Sequence, residues 1–182
     1  MRPAALAFSG SIASGKSTLS EEVAGVLQWS RVSFGDYVRS VAHQRELAES
    51  REILQAIGAD LVERDVEGFC RAVLAQASWQ PGQPIVIDGI RHTEVLDNLR
   101  QIVAPMELFL IFVTVDEVTR SARLLEREAT SLEKRQYLEQ DSTERQVKFD
   151  LAQLSDFIID NRHSLKESVR QIVDWLKTTD SA

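Results

Sequence analysis

Two rhythms of apolar residues alternate along this chain: short unbroken runs, and longer stretches with an apolar residue every third or fourth position. Ala4-Ala5-Leu6-Ala7-Phe8 is a run of the first kind and predicts a buried strand; Leu19, Val23, Val26 and Leu27 follow at helical spacing. Arg31-Val32-Ser33-Phe34 reads as a weak second strand ended by Gly35-Asp36. Helical pattern then runs from about Tyr37 to Ala77, with breaks near Ala48-Glu49-Ser50 and near Arg64-Asp65. Its middle part carries Ile53, Leu54, Ile57 and Leu61 on one face, a stripe to be buried. Pro81-Gly82-Gln83-Pro84 is a turn, and Ile85-Val86-Ile87 a short central strand ending in Asp88-Gly89. Val95, Leu96, Leu99 and Ile102 mark another helix. Leu108-Phe109-Leu110-Ile111-Phe112-Val113 is apolar at every position, as a parallel strand covered on both sides must be. Asp116 is placed to cap the next helix, and Thr130-Ser131-Leu132-Glu133 and Ser164-Leu165-Lys166-Glu167 match the capping box. Phe157-Ile158-Ile159 is the last strand, and Leu165, Val169, Ile172, Val173 and Leu176 stripe the last helix. Strands alternating with helices predict a parallel sheet with right-handed crossovers. Ligands of such sheets bind beyond the carboxyl ends of the strands, where Gly10, Asp36 and Asp88 fall.

The first strand runs into Gly10-Ser11-Ile12-Ala13-Ser14-Gly15-Lys16-Ser17, which fits G-x-x-x-x-G-K-S/T in the strand–loop–helix context that gives the pattern meaning. Glycines let the backbone curl until several N–H groups point at one phosphate, and the first helical turn, through Thr18, adds its own unpaired N–H groups and the positive end of its dipole. Lys16 is placed to reach the β- and γ-phosphates and the Ser17 hydroxyl to take a coordination position on Mg²⁺. The expectation is a nucleoside triphosphate, ATP, bound by Gly10, Ser11, Ala13, Ser14, Gly15, Lys16, Ser17 and Thr18.

Composition narrows the picture. The chain has 182 residues, no repeat and no low-complexity linker, so one domain over 1–182 is expected. A formal net charge of −7 argues against a broad nucleic-acid or anionic-membrane surface. No apolar run is long enough to span a bilayer and no leader is recognised. Cys70 is the lone cysteine, which excludes an internal disulfide, fits a reducing cytoplasmic setting and suggests a small buried side chain. Nothing in the sequence bears on oligomeric state.

Other residues could carry chemistry. Asp88 closes an apolar strand, where phosphate-loop proteins hold a second magnesium-associated carboxylate, although Asp-Gly is also an ordinary turn. Arg91 follows at the start of a helix, where a guanidinium could grip phosphate through paired donors. Asp36 and Arg39 repeat this acid–arginine pattern at the neighbouring strand end. Arg120, Arg123 and Arg127 project within about 60° of one another on a helix, opposite Val118, Ala122 and Leu125. That ridge is either a solvated face or a second phosphate-binding element.

These residues resemble the nucleoside monophosphate kinase group of phosphate-loop kinases. Gly35-Asp36-Tyr37-Val38-Arg39 is similar to that group's Gly-Asp-x-x-Arg segment, and Asp88-Gly89-Ile90-Arg91 to its Asp-Gly-x-Arg segment, whose arginines bind the acceptor phosphate. Val118 to Arg127 resembles the arginine helix that leads into a lid, Arg51 to Gly58 an acceptor-side helix, and Ile158-Ile159-Asp160-Asn161 the closing strand and loop beside adenine. The glycine loop is also close to that of dephospho-coenzyme A kinases. The resemblance implies a three-layer α/β/α fold with a five-stranded parallel sheet of order 2-3-1-4-5 and a short helical lid at about 128–145. It implies ATP and Mg²⁺ as cofactors, and transfer of the γ-phosphoryl group to a nucleoside monophosphate. Lys16, Asp88, Arg91, Arg123 and Arg127 would be catalytic, Ser17 and Asp88 metal-binding, Asp36, Arg39 and Arg91 acceptor-binding, and Asn161 nucleotide-binding. The lid stretch lacks the Arg-x-Asp-Asp of adenylate kinases, and Gln140-Asp141 stands where relatives carry Arg-Asp. Two other readings stay open: a kinase with a hydroxyl acceptor such as dephospho-coenzyme A, and a nucleotide-sensing protein with little turnover.

Overall fold

A computed structural model describes residues 2–128, 146–162 and 164–179. The chain runs β1 (Ala4–Ser9), α1 (Lys16–Leu27), β2 (Ser30–Ser33), α2 (Phe34–Gln44), α3 (Arg51–Ala75), β3 (Ile85–Asp88), α4 (Thr93–Val103), β4 (Glu107–Thr114) and α5 (Glu117–Glu128). After a π-helical turn at Gln146–Leu151 come β5 (Phe157–Asp160) and α6 (Leu165–Thr179). All strand pairs are parallel, in the order β2-β3-β1-β4-β5. The topology is the one the resemblance implied.

Strand alternation sorts the core into two layers. Ala5, Ala7, Ile85, Ile87, Leu108, Leu110 and Phe112 face one way, against α2, α3 and α4. Leu6, Phe8, Val86, Ile111 and Val113 face the other, against α1 and α6. β1 lies between β3 and β4 and is buried along its whole length, which its unbroken apolar run requires. On its second face Trp175 stacks on Phe157 and meets Phe109 edge-on, closing the β5 side of the sheet.

Local signals set the element ends. Ser33 and Ser50 cap α2 and α3 by accepting from the backbone N–H groups of Asp36 and Ile53. α3 breaks at Asp65, which is extended and accepts from the Gly68 N–H, so a second helical stretch starts there. Both interruptions of the helical pattern after Tyr37 therefore exist. The Asp116 carboxylate accepts from the Thr119 N–H and hydroxyl, which holds it below the usual carboxylate range. Ser164 accepts from the Glu167 N–H at the start of α6.

Two expectations shift. Phe34 opens α2 rather than closing β2, because Ser33 supplies the helix cap. Val26 is 59% exposed, and the buried stripe of α1 is Leu19, Ser20, Val23 and Ala24. Strand and helix spacing alone could not separate Val26 from Ala24. The Thr130–Glu133 capping box, Gln140-Asp141 and the lid beyond Glu128 lie outside the described residues.

Candidate active site

The glycine loop leaves the carboxyl end of β1 and turns sharply, with the Ser14 N–H donating to the Ser11 carbonyl at 3.1 Å. Gly10 has φ +150°, and a Cβ there would lie on the Val113 carbonyl of β4. Only glycine lets the loop pass that close to its neighbouring strand. Ala13 and Gly15 take the left-handed conformation, φ 63° and 85°, and α1 starts directly afterwards with no side chain capping its first turn. That turn presents the positive end of the helix dipole, which suits a ligand of negative charge.

The loop's carbonyls are held from elsewhere. Asn161, buried just after β5, donates through Nδ2 to the Ser14 carbonyl at 2.8 Å and accepts from the Ser168 hydroxyl at 3.3 Å. Arg123 of α5 donates through Nη1 to the same carbonyl at 3.2 Å and reaches the Ala13 carbonyl at 3.5 Å. A Cβ on Gly15 would fall on the Asn161 amide, so this bracing also requires glycine. Pinning carbonyls fixes the peptide planes, and with them the direction of the N–H groups on the opposite edge. Thus Asn161 and Arg123 both act on the loop itself. The Ser14 hydroxyl is buried and has no partner among the described residues.

Asp88 pairs with Phe8 in the β1–β3 ladder, so it stands at the strand end beside the glycine loop. It is 2% exposed; its Oδ2 accepts from Arg31 Nη2 at 2.8 Å, and its Oδ1 is buried with no partner among the described residues. Arg31 also donates through Nε to the Ser20 hydroxyl of α1 at 3.0 Å and lies 4.0 Å from Asp36. One guanidinium thereby joins β2, α1 and β3. Nothing in the sequence singles out Arg31. Its only signal was an arginine at an alternate position of a strand, and nothing in one strand says which carboxylate its neighbour presents.

Asp36 and Arg39 form an ion pair at 2.7 Å on the first turns of α2, both more than half exposed. Arg91 and His92 follow β3, whose departing loop is tied down by the Gly89 and Ile90 N–H groups donating to the Phe8 carbonyl. The Ser9 hydroxyl donates to the Ile90 carbonyl at 2.8 Å and locks the same corner. One cleft of about 550 Å³ brings these pieces together: Ala13, Lys16, Ser17, Arg31 and Asp88 line it, and so do Asp36, Arg39, Arg51, Arg91 and His92. Arg123 and Asn161 do not line this cleft, and Thr18 lies exposed on the first turn of α1.

The arginine ridge of α5 divides. Arg120 is 5% exposed and makes a bidentate pair with Glu117, while Val118 is 81% exposed. The arginine side of the helix faces the protein, and the apolar residue faces solvent. Arg127 lies on α5, with its side chain outside the described residues.

The model for the AAA domain family AAA_18 matches residues 6–148, the span from β1 through the π-helical turn. This chain belongs to that family. A UPF0200 protein of Pyrobaculum aerophilum is 32% identical over 175 residues, spanning 91% of this chain and 92% of that protein. Among solved structures, the APS kinase CysC of Mycobacterium tuberculosis, in complex with AMPPNP and APS, superposes with a TM-score of 0.56. Its identity is 14%, over 97% of this chain and 98% of that one. The shikimate kinase of Aquifex aeolicus gives 0.55 and 14%, over 98% and 99%. The chain therefore has the fold of the P-loop kinases. No helix among the described residues is long and apolar enough to cross a membrane.

Proposed function

We propose that this chain is a cytoplasmic, ATP-dependent kinase that transfers the γ-phosphoryl group to a nucleoside monophosphate, giving ADP and a nucleoside diphosphate. One observation carries the reading: Lys16 and Ser17 of the glycine loop share a single cleft with Arg39, Arg51 and Arg91, contributed by three other segments. An acceptor phosphate brings about two further negative charges next to a triphosphate, and only a site with its own cations can hold both. Arg39 and Arg91, on neighbouring strand ends, would grip that phosphate, and Lys16 with the loop N–H groups would hold the donor.

The cleft also suits Mg²⁺. Ser17 offers an exposed hydroxyl, and the Oδ1 of Asp88, buried without a partner among the described residues, is an oxygen suited to a metal-bound water. When bound, the ion supplies charge neutralisation on the terminal phosphates. The chain's own residues do the rest. The braced loop orients the donor, Lys16 offsets charge in ground and transition states, and the acceptor arginines bring an oxygen in line with the γ-phosphorus. Phosphoryl transfer to a phosphate oxygen requires no proton removal, so positioning and electrostatics are sufficient.

A hydroxyl acceptor is the second reading, supported by the fold shared with an APS kinase and a shikimate kinase. There Asp36 or Asp88 would serve as base, since an alcohol must lose a proton. Two substitutions separate the readings. Arg91→Lys keeps the charge but loses the planar fork, and a charge-assisted bond is worth about 1.5–3 kcal/mol. Acceptor KM should rise roughly 10- to 100-fold while ATP affinity holds. Asp36→Asn should be mild. ADP release measured across monophosphates and alcohols, for both variants, is the test. Stimulation by an alcohol, with Asp36→Asn nearly inactive and Arg91→Lys normal, refutes the monophosphate reading; no stimulation by any acceptor points to a nucleotide sensor.

A further inference from the structure

The far wall of the cleft differs from its phosphate end. Phe34, Val38, Leu54, Phe69 and Val95 form it, and all but Leu54 are nearly fully buried. Phe34 and Phe69 meet edge to face with centroids 5.0 Å apart, which makes a rigid corner. Gly58, one turn along α3 from Leu54, has nothing within 4 Å of where a Cβ would stand except Val38, at 4.0 Å, so the wall is open beside it. To the lining of the same cleft α3 adds one amide, Gln55. Its Nε2 is buried without a partner, and no hydrogen bond to its side chain is found among the described residues. A buried amide left unpaired costs stability. The ligand that would satisfy it must be flat and apolar on its faces and must offer a hydrogen-bond acceptor at its edge.

We propose that Gln55 is the specificity-determining residue of the acceptor site, reading the edge of an aromatic nitrogen heterocycle held between the apolar wall and Gly58. The inference rests on the monophosphate reading above and names what the acceptor carries beyond its phosphate. A side-chain amide presents a donor and an acceptor side by side, and every nucleobase offers an adjacent complementary pair on its pairing edge. A polyol would bring several hydroxyl groups to a wall that can satisfy almost none of them. The compartment thus selects a base, while Arg39 and Arg91 select the phosphate.

The experiment compares kcat/KM for AMP, GMP, CMP and UMP with that for ribose 5-phosphate, which has the phosphate but no ring. The wild-type protein should prefer one nucleotide over ribose 5-phosphate by about 100-fold or more. Gln55→Met, which keeps the length but removes the amide, should cut kcat/KM for that nucleotide by roughly 10- to 100-fold and flatten the ranking among bases. The same change should raise the melting temperature of the ligand-free protein by about 2–4 °C, since an unpaired amide is removed from an apolar site. Gln55→Leu provides a second variant should the first fail to fold. Wild-type protein that uses ribose 5-phosphate as well as any nucleotide overturns the role of the ring but leaves the phosphate-acceptor reading intact. A Gln55 variant with the wild-type base ranking overturns the role of the amide. Absence of turnover with all five phosphates overturns the monophosphate reading and this proposal together.

Discussion

Removing Arg31 should weaken the protein and its chemistry at once. Asp88 is almost wholly enclosed, and its only charged partner at bonding distance among the described residues is the Arg31 guanidinium at 2.8 Å. With Oδ1 already unpartnered, Arg31→Met would leave both carboxylate oxygens buried and unpaired. Breaking a buried ion pair by removing one partner costs about 3–5 kcal/mol. The Arg31 side chain is 22% exposed, so water can reach the gap it leaves, and the expected loss is about 2–3 kcal/mol. For a chain of this size that lowers the melting temperature by roughly 5–10 °C. Asp88→Asn should cost less, about 1 kcal/mol, because Arg31 keeps its bond to Ser20 and its access to solvent. In the double variant no charge is left buried, so the two losses should fall short of additivity by about 1–2 kcal/mol. Denaturant unfolding followed by far-ultraviolet circular dichroism, without nucleotide, gives all four corners of the cycle. An Arg31→Met protein within about 0.5 kcal/mol of wild type, or strict additivity, would refute the claim that Arg31 holds Asp88.

Lys16→Ala should abolish ATP turnover in a coupled assay yet leave the ligand-free melting temperature close to wild type, because Lys16 lines the cleft rather than the core. Arg123→Gln should lower kcat and weaken ATP binding together, roughly tenfold each, as the loop loses its hold on the Ser14 carbonyl. Titration calorimetry with a non-hydrolysable ATP analogue, alongside kcat, checks this, and unchanged ATP affinity would return Arg123 to a purely catalytic or structural role. Burial pushes the Cys70 thiol up to about 12, so the folded protein should keep it protonated and unreactive toward a thiol reagent at pH 8. Denaturant should expose it, and rapid labelling of native protein would contradict the packing around Val95.

The order of elements, the parallel sheet and the glycine loop that opens the cleft were all legible in the residues. An unbroken apolar strand, a glycine loop and an amphipathic helix are local signals, since each depends only on backbone conformations and side chains within a few positions. Asp36, Arg39, Asp88 and Arg91 were legible for a related reason: Asp88 ends β3, Asp36 and Arg39 lie on the first two turns of α2, and Arg91 lies in the loop before α4 rather than on that helix as expected, all on the edge where a parallel sheet gathers its strand ends. Arg31 and Gln55 acquire meaning only in three dimensions, as does the part Asn161 takes in holding the glycine loop. Arg31 needs β2 beside β3 to find Asp88, Asn161 needs β5 and α6 to reach the Ser14 carbonyl, and Gln55 needs the wall built by α2, α3 and α4. The face of α5 that turns inward belongs with them. A stripe of arginines along one helix leaves a solvated face and a phosphate-binding ridge equally open, and only the fold shows Arg120 buried and Arg123 donating to the loop carbonyl of Ser14. Local sequence thus determines where the chain is straight, curled or capped. Whether a polar group is satisfied or left waiting for a ligand is a property of the neighbours that folding brings to it.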